Sequence, residues 1–282
     1  MTLAALFPSL AIHLNRPEGP LPPRLRARVG VQRDLVHTPP GVPPLLVDVY
    51  TPELPGTLPA VLMIHGGAWA KGTRRQTAAL ARRVAARGYV VVNTTYRLAP
   101  QHRFPAQVQD VQQAVRWMRH NAAALRIDPA RIGAWGYSAG AHLAALLGAL
   151  RPGDRLHAED ARVSAVVAGG IPADLRKFRG GALVPQFLGE KWSRDSVVFR
   201  EASPAAYVAA GAPPVFLYHG MSDRLVPLDQ SVDYQKALQA AGVANELYLM
   251  RGLGHVTAYF FDGETTRLGA DFLDRHLRGE GG

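Results

Sequence analysis

From residue 59 onward, short apolar runs alternate with longer stretches whose apolar residues return every three or four positions. The runs lie at residues 60–64, 89–93, 131–135, 163–168, 214–218 and 246–250. A strand covered on both faces reads as a continuous apolar run, so these six are expected to be buried and parallel. Of the intervening stretches, 107–125 is the clearest helix, with Val108, Val111, Val115 and Met118 on one face. Residues 73–87, 139–150, 229–241 and 265–277 complete the predicted helices. Upstream, the runs 29–37 and 45–51 flank the turn-rich Thr38-Pro39-Pro40-Gly41 and predict an antiparallel pair. Such alternation predicts an α/β fold, with a mostly parallel sheet of about eight strands between helical layers.

No internal repeat or composition break divides the chain, so one domain is expected over residues 1–282. Two stretches stand outside the alternation. Residues 1–27 open with an apolar segment, 1–14, that lacks a basic start and a small-residue cleavage site. It is too short to span a bilayer. A docking segment or flap is expected there, followed by an irregular Pro- and Arg-rich stretch at 15–27, and the chain is expected to be cytoplasmic. The second stretch, 172–211, carries Phe178, Phe187, Trp192, Phe199 and Tyr207 between two predicted strands. Long connections inside compact domains are usually functional, so a lid-like insertion is expected, with Phe187 and Trp192 against substrate.

Composition narrows the chemistry. The chain has no cysteine, which removes disulfides, thiolate metal sites and a cysteine nucleophile. The formal charge is +10, but the arginines are scattered in pairs such as Arg74-Arg75 and Arg82-Arg83. No run of five cations and no interleaving of basic with aromatic residues marks a nucleic-acid surface, so a solvated Arg-rich exterior is expected.

Four predicted strands end in reactive residues. The run 131–135 leads into Gly136-Tyr137-Ser138-Ala139-Gly140 and then directly into a helix. A strand-to-helix turn this tight exposes the serine hydroxyl at the sheet edge, with a helix N-terminus behind it. The run 60–64 leads into His65-Gly66-Gly67-Ala68-Trp69. Backbone N–H groups of Gly66 and Gly67, with that of Ala139, are placed to form an oxyanion hole. His65 precedes the serine and is expected to brace its own loop. A serine nucleophile needs a base, and the base an orienting carboxylate. His255 follows the run 246–250 in a glycine-rich loop, and Asp223 follows the run 214–218 in the corresponding loop one strand earlier. His142, His157, His219 and His276 are less well placed. Asp229 competes with Asp223, but its position at a helix start is explained by capping.

Together with Tyr96-Arg97-Leu98-Ala99-Pro100 and Arg224-Leu225-Val226-Pro227, these motifs make residues from about 45 onward resemble α/β-hydrolase esterases. The chain is similar to hormone-sensitive-lipase-like carboxylesterases, but Ala68 stands where that group usually has a third glycine and Tyr137 where it usually has Asp. His65-Gly66-Gly67-Ala68-Trp69 together with Ser138-Ala139-Gly140-Ala141-His142-Leu143 looks nearer to the feruloyl-esterase-like and kynurenine-formamidase-like branch. The resemblance implies a serine carboxylesterase for small-molecule, short-chain esters with the catalytic triad Ser138, Asp223 and His255. It implies no metal, no cofactor, no nucleic acid and no membrane span. Trp69 and Tyr137 join Phe187 and Trp192 as candidate substrate contacts. The alternatives are an aryl formamidase using the same triad and, from another class, a non-catalytic ligand-binding member of the fold. The latter is disfavoured because serine and histidine are both present.

Overall fold

The computed structural model describes residues 11–14, 26–39, 41–193 and 195–278. Within them one sheet contains β1 (Ala11–Leu14), β2 (Val29–Val36), β3 (Leu46–Pro52), β4 (Leu58–Ile64), β5 (Val90–Thr94), β6 (Ile127–Tyr137), β7 (Ala165–Gly169), β8 (Val215–Gly220) and β9 (Asn245–Met250). Their order across the sheet is β1-β9-β8-β7-β6-β4-β5-β3-β2. The pairs β1·β9, β2·β3 and β3·β5 are antiparallel, and the other five are parallel.

The expected strand count of about eight is one short, because Ala11–Leu14 adds an antiparallel edge to β9. Ala11 stands opposite Met250 and Leu14 opposite Leu247. Four residues carry too little pattern to mark a strand, and their partner lies at the far end of the chain. Residues 1–10 of the expected docking or flap segment, and 15–25 of the irregular stretch, lie outside the described residues.

The helices are α1 (Ala78–Ala86), α2 (Ala106–His120), α3 (Ala122–Leu125), α4 (Ala139–Ala149), α5 (Leu183–Leu188), α6 (Val197–Glu201), α7 (Asp229–Ala240), α8 (His255–Phe260) and α9 (Gly263–Leu273). Alternate strand residues feed two cores. Val47, Leu62, Val92, Ala134, Val166 and Leu217 face α2, α4 and α7, whereas Val61, Val91, Trp135, Val167 and Phe216 face α1 and α9. The expected face of α2 is buried at Val108, Val111, Val115 and Met118. All of α4 is buried, as its Ala- and Leu-rich composition on every side requires. The insertion 172–211 is not structureless, since α5 and α6 fold within it. Among the described residues, no helix is long and apolar enough to cross a membrane.

Because β4, β6, β8 and β9 run in one direction, the loops after Ile64, Tyr137, Gly220 and Met250 emerge at the same sheet edge. Two glycines let α4 reach that edge. A Cβ on Gly140 would stand 2.1 Å from the Ile64 carbonyl oxygen, and one on Gly136 would stand 2.2 Å from the Gly140 carbonyl carbon. Backbone cannot yield as a flexible side chain can. Gly140→Ala should therefore cost at least about 1–3 kcal/mol of stability by overpacking. Gly180→Ala, whose Cβ meets open space, should change stability by less than about 0.5 kcal/mol. Urea denaturation of the two variants checks this. Equal midpoints would mean that the α4 contact is not tight.

Candidate active site

Between β6 and α4 a single residue, Ser138, turns the chain. Its backbone sits at φ 56° and ψ −122°, a conformation that costs a non-glycine residue on the order of 1–3 kcal/mol. The turn is held from both sides. The Ser138 N–H donates to the Gly169 carbonyl at 2.7 Å, and the His142 N–H donates to the Ser138 carbonyl at 3.0 Å. This projects the hydroxyl past the sheet edge.

His255 opens α8, immediately beyond the loop that follows β9. Its Nε2 lies 2.9 Å from Ser138 Oγ and its Nδ1 lies 2.6 Å from Asp223 Oδ2. With Nδ1–H donating to the carboxylate, Nε2 is left to accept the serine proton. Asp223 is fully buried at its side chain, and its Oδ1 accepts the backbone N–H groups of Leu225 (2.9 Å) and Val226 (2.8 Å). Burial alone would raise this carboxyl. Hydrogen bonds from His219, His255 and the Val226 N–H outweigh burial and hold it well below the ordinary carboxylate range. His219 Nε2 donates to the Val226 carbonyl at 2.9 Å and lies 3.4 Å from Asp223 Oδ2, while its Nδ1 accepts from Ser231 at 2.7 Å. In the sequence, the one signal of this contact is the place of His219 four residues before Asp223, at a strand end.

Facing the serine is the loop after β4. A Cβ on Gly66 would stand 3.5 Å from Ser138 Cβ, so this backbone packs directly on the Ser138 side chain. Gly67 has φ 116°, and its carbonyl accepts from the N–H groups of Ala70 and Lys71 in a tight turn. Ala68 and Trp69 follow at φ 53° and 58°. Three groups brace this strained loop. His65 donates from Nδ1 to the Gly66 carbonyl (2.8 Å) and stacks on Tyr96 at 4.3 Å, whose hydroxyl donates to the His65 carbonyl. The Ala99 N–H donates to the Trp69 carbonyl at 2.9 Å. Trp69 Nε1 donates to His142 Nδ1 (3.2 Å), and His142 Nε2 donates to the Ala202 carbonyl (2.6 Å). Burial lowers His65 and His142 to about 4, so both imidazoles are neutral. Ala139, as the first residue of α4, has an N–H without an intrahelical acceptor.

Two cavities meet at Ser138. One, of about 170 Å³, is walled by Trp69, Pro172, Phe178, residues 180–184 and Val226. The other, of about 300 Å³, is lined by Gly66, Gly67, Lys71, Tyr137, His255, Val256 and Tyr259, among others. Trp69 and Tyr137 thus stand where substrate contacts are expected. Phe187 and Trp192 do not. Phe187 is fully buried and stacks beneath Trp69 at 4.3 Å. Trp192 donates from Nε1 to the Arg176 carbonyl and lies under Arg179. Phe187 packs on the Trp69 loop and Trp192 within the insertion, and Phe178 and Leu183 wall the cavity instead. Asp229 is not a cap either. It is the first residue of α7, after Leu228, and pairs with Lys177 at 3.0 Å.

The BD-FAE family model matches residues 47–238, from β3 through most of α7. The chain belongs to the BD-FAE family. Esterase LipC of Mycobacterium tuberculosis is 35% identical over 229 residues, covering 76% of this BD-FAE chain and 57% of its own length. Esterase LipQ of the same organism is 35% identical over 251 residues, covering 83% and 58%. This chain therefore spans a little over half the length of these relatives. The butyrate-bound structure of Est2, an esterase of the planctomycete Thermogutta terrifontis, superposes with a TM-score of 0.73 at 26% identity, covering 91% of this chain and 97% of that one. The fold is the α/β-hydrolase fold.

The charge on Asp223 has a consequence for stability. Its folded pKa lies below the ordinary 3.8. Its contribution is therefore fully present above that ordinary value and fades as pH falls through the folded value. Wild type should exceed Asp223→Asn in thermal midpoint most at neutral pH, and the gap should narrow below about pH 3. A gap constant with pH would show that the site does not favour the ionised carboxylate.

Proposed function

We propose that the chain hydrolyses carboxylic esters of short acyl groups through an acyl-enzyme on Ser138. The observation that carries this reading is the unbroken hydrogen-bond series Asp223–His255–Ser138, ending between two cavities. Ser138 Oγ attacks the ester carbonyl carbon while His255 Nε2 takes the hydroxyl proton. The Asp223 carboxylate holds the imidazolium. Backbone N–H groups of Gly66, Gly67 and Ala139 receive the oxyanion, each such donor being worth about 3–4 kcal/mol in comparable sites. Collapse of the tetrahedral intermediate breaks the bond to the alcohol oxygen, which leaves with the proton from His255. Water then adds to the acyl-enzyme by the same proton route in reverse, releasing the acid.

Proton transfer assigns the cavities. The leaving oxygen must reach His255, and His255 lines only the larger of the two. The alcohol therefore belongs there and the acyl group in the 170 Å³ cavity. That volume is near the roughly 150 Å³ of an engineered apolar cavity that holds benzene. It fits an acyl chain of up to about six carbons, and Est2 likewise holds butyrate and propionate.

Ser138→Ala should retain the fold and lose hydrolysis by on the order of 10³-fold or more. Paraoxon, which phosphorylates Est2, should add to Ser138, as intact-protein and peptide mass spectrometry would report. Asp223→Asn should lose on the order of 10⁴-fold in kcat through the wrong imidazole tautomer, while Asp229→Asn stays close to wild type. An adduct on another serine, or equal loss in the two Asn variants, would overturn these roles.

With 4-nitrophenyl esters, kcat/KM should peak between about two and six carbons and then fall, because a methylene that does not fit costs packing strain. Phe178→Ala should move the peak to longer chains. An optimum beyond about ten carbons, unmoved by Phe178→Ala, would remove the 170 Å³ cavity as acyl site.

A further inference from the structure

We infer that the 300 Å³ cavity on the His255 side is a subsite for leaving alcohols that carry an anionic substituent, and that Lys71 recognises the charge. The inference rests on the ester-hydrolase reading, which makes this the alcohol side. The cavity has an apolar wall and a cationic end. Leu183, Leu225, Val256 and Tyr259 form the wall, and the first three remain 41%, 51% and 62% exposed, available to cover the body of an alcohol. Gln76 and Lys71 form the polar end. Tyr259 closes the wall by donating its hydroxyl to the Gln76 carbonyl at 2.7 Å.

Lys71 is not on a free surface loop. Its N–H donates to the Gly67 carbonyl at 3.0 Å, in the turn that also presents the proposed oxyanion donors. Its Cα is thus fixed relative to the ester carbonyl, and the four-carbon stem lets the ammonium search for an anion from there. Among the described residues its ammonium has no ion pair, whereas Lys177 is held by Asp229 and Asp233. Among the described residues no carboxylate lines the cavity, and the Asp223 side chain is fully buried behind His255. An ammonium without an ion pair among the described residues, on a cavity otherwise lined largely by apolar side chains, selects an anion on the leaving group.

The test compares 3-carboxyphenyl acetate with its neutral near-isostere 3-carbamoylphenyl acetate, each rate divided by that ester's hydroxide-catalysed rate. Both esters form the same acetyl-enzyme, so any preference belongs to binding and acylation and appears in kcat/KM. Wild type should favour the anionic ester on the order of threefold to fivefold at low ionic strength, the range of an exposed ion pair, and less as salt rises. Lys71→Met should bring the ratio to about one, Lys71→Glu should take it below one, and Lys71→Arg should keep it above one. A merely structural role for Lys71 would change both esters together and leave the ratio alone. A ratio of one in wild type, or a preference undiminished in Lys71→Met, overturns the subsite; the second outcome would place the selectivity in the net charge of the chain. Failure to hydrolyse the neutral ester, with paraoxon also leaving Ser138 unmodified, would instead overturn the ester-hydrolase reading beneath it.

Discussion

The closeness with which α4 presses against β4 sets the geometry of the whole reactive edge. Gly140 lies on the Ile64 carbonyl with no room for a Cβ, and Ser138 at the head of the helix takes a backbone conformation that favours glycine. Strain of this kind persists only where the surroundings over-determine it. Here α4 is buried along its entire length, and parallel strands flank β6 on both sides. The facing loop is strained as well, at Ala68 and Trp69. The two strained turns steady each other, since Trp69 of one bonds to His142 of the other and His142 bonds onward to Ala202 in the insertion. The Ser138 turn, the facing loop and the insertion thus form one braced unit.

That unit separates its titratable groups by task. His65 and His142 are buried without a carboxylate partner among the described residues, so burial keeps them neutral and each has a single N–H to place. His142 uses it on the Ala202 carbonyl and offers its other nitrogen as acceptor to Trp69. A second proton would set two donors against each other there, so neutrality is what makes the brace work. Asp223 is buried too, yet four donors surround it: the imidazoles of His219 and His255 and two backbone N–H groups. Burial therefore leaves the two imidazoles neutral and the carboxylate ionised, decided by what each group faces.

Much of this was legible in the sequence, and the limits are physical. The six buried strands and the main helices announced themselves through periodicity, and chain order at the ends of β6, β8 and β9 picked out Ser138, Asp223 and His255. The structure brings those three into one hydrogen-bond series. What pattern missed depends on tertiary partners. Ala11–Leu14 becomes a strand only because β9 presents an open edge. Tyr96, His142 and His219 acquire their contacts from elements far away in sequence or from a loop that folds back. The aromatic residues of 172–211 were a different difficulty. Apolar rings satisfy a cavity wall and a core equally well, and Phe187 and Phe199 went to the core while Phe178 went to the wall.

The partition of the site into two cavities also constrains how its specificity can vary. Ala68, Leu183 and Leu225 line both cavities, so they form a ridge on either side of which the two halves of an ester would lie. Phe178 and Val184 touch only the smaller space, and Lys71, Val256 and Tyr259 only the larger. Changes at these outer residues can alter one half of the substrate alone. A change on the ridge enlarges or closes both spaces at once, and residues sharing a cavity couple energetically rather than adding. Leu183 opens α5 and Leu225 lies in the Asp223 loop, its N–H donating to that carboxylate, so the ridge joins the insertion to Asp223. On the proposed ester-hydrolase reading, selectivity for acid and alcohol is therefore separable at the far ends of the two cavities and inseparable beside Ser138.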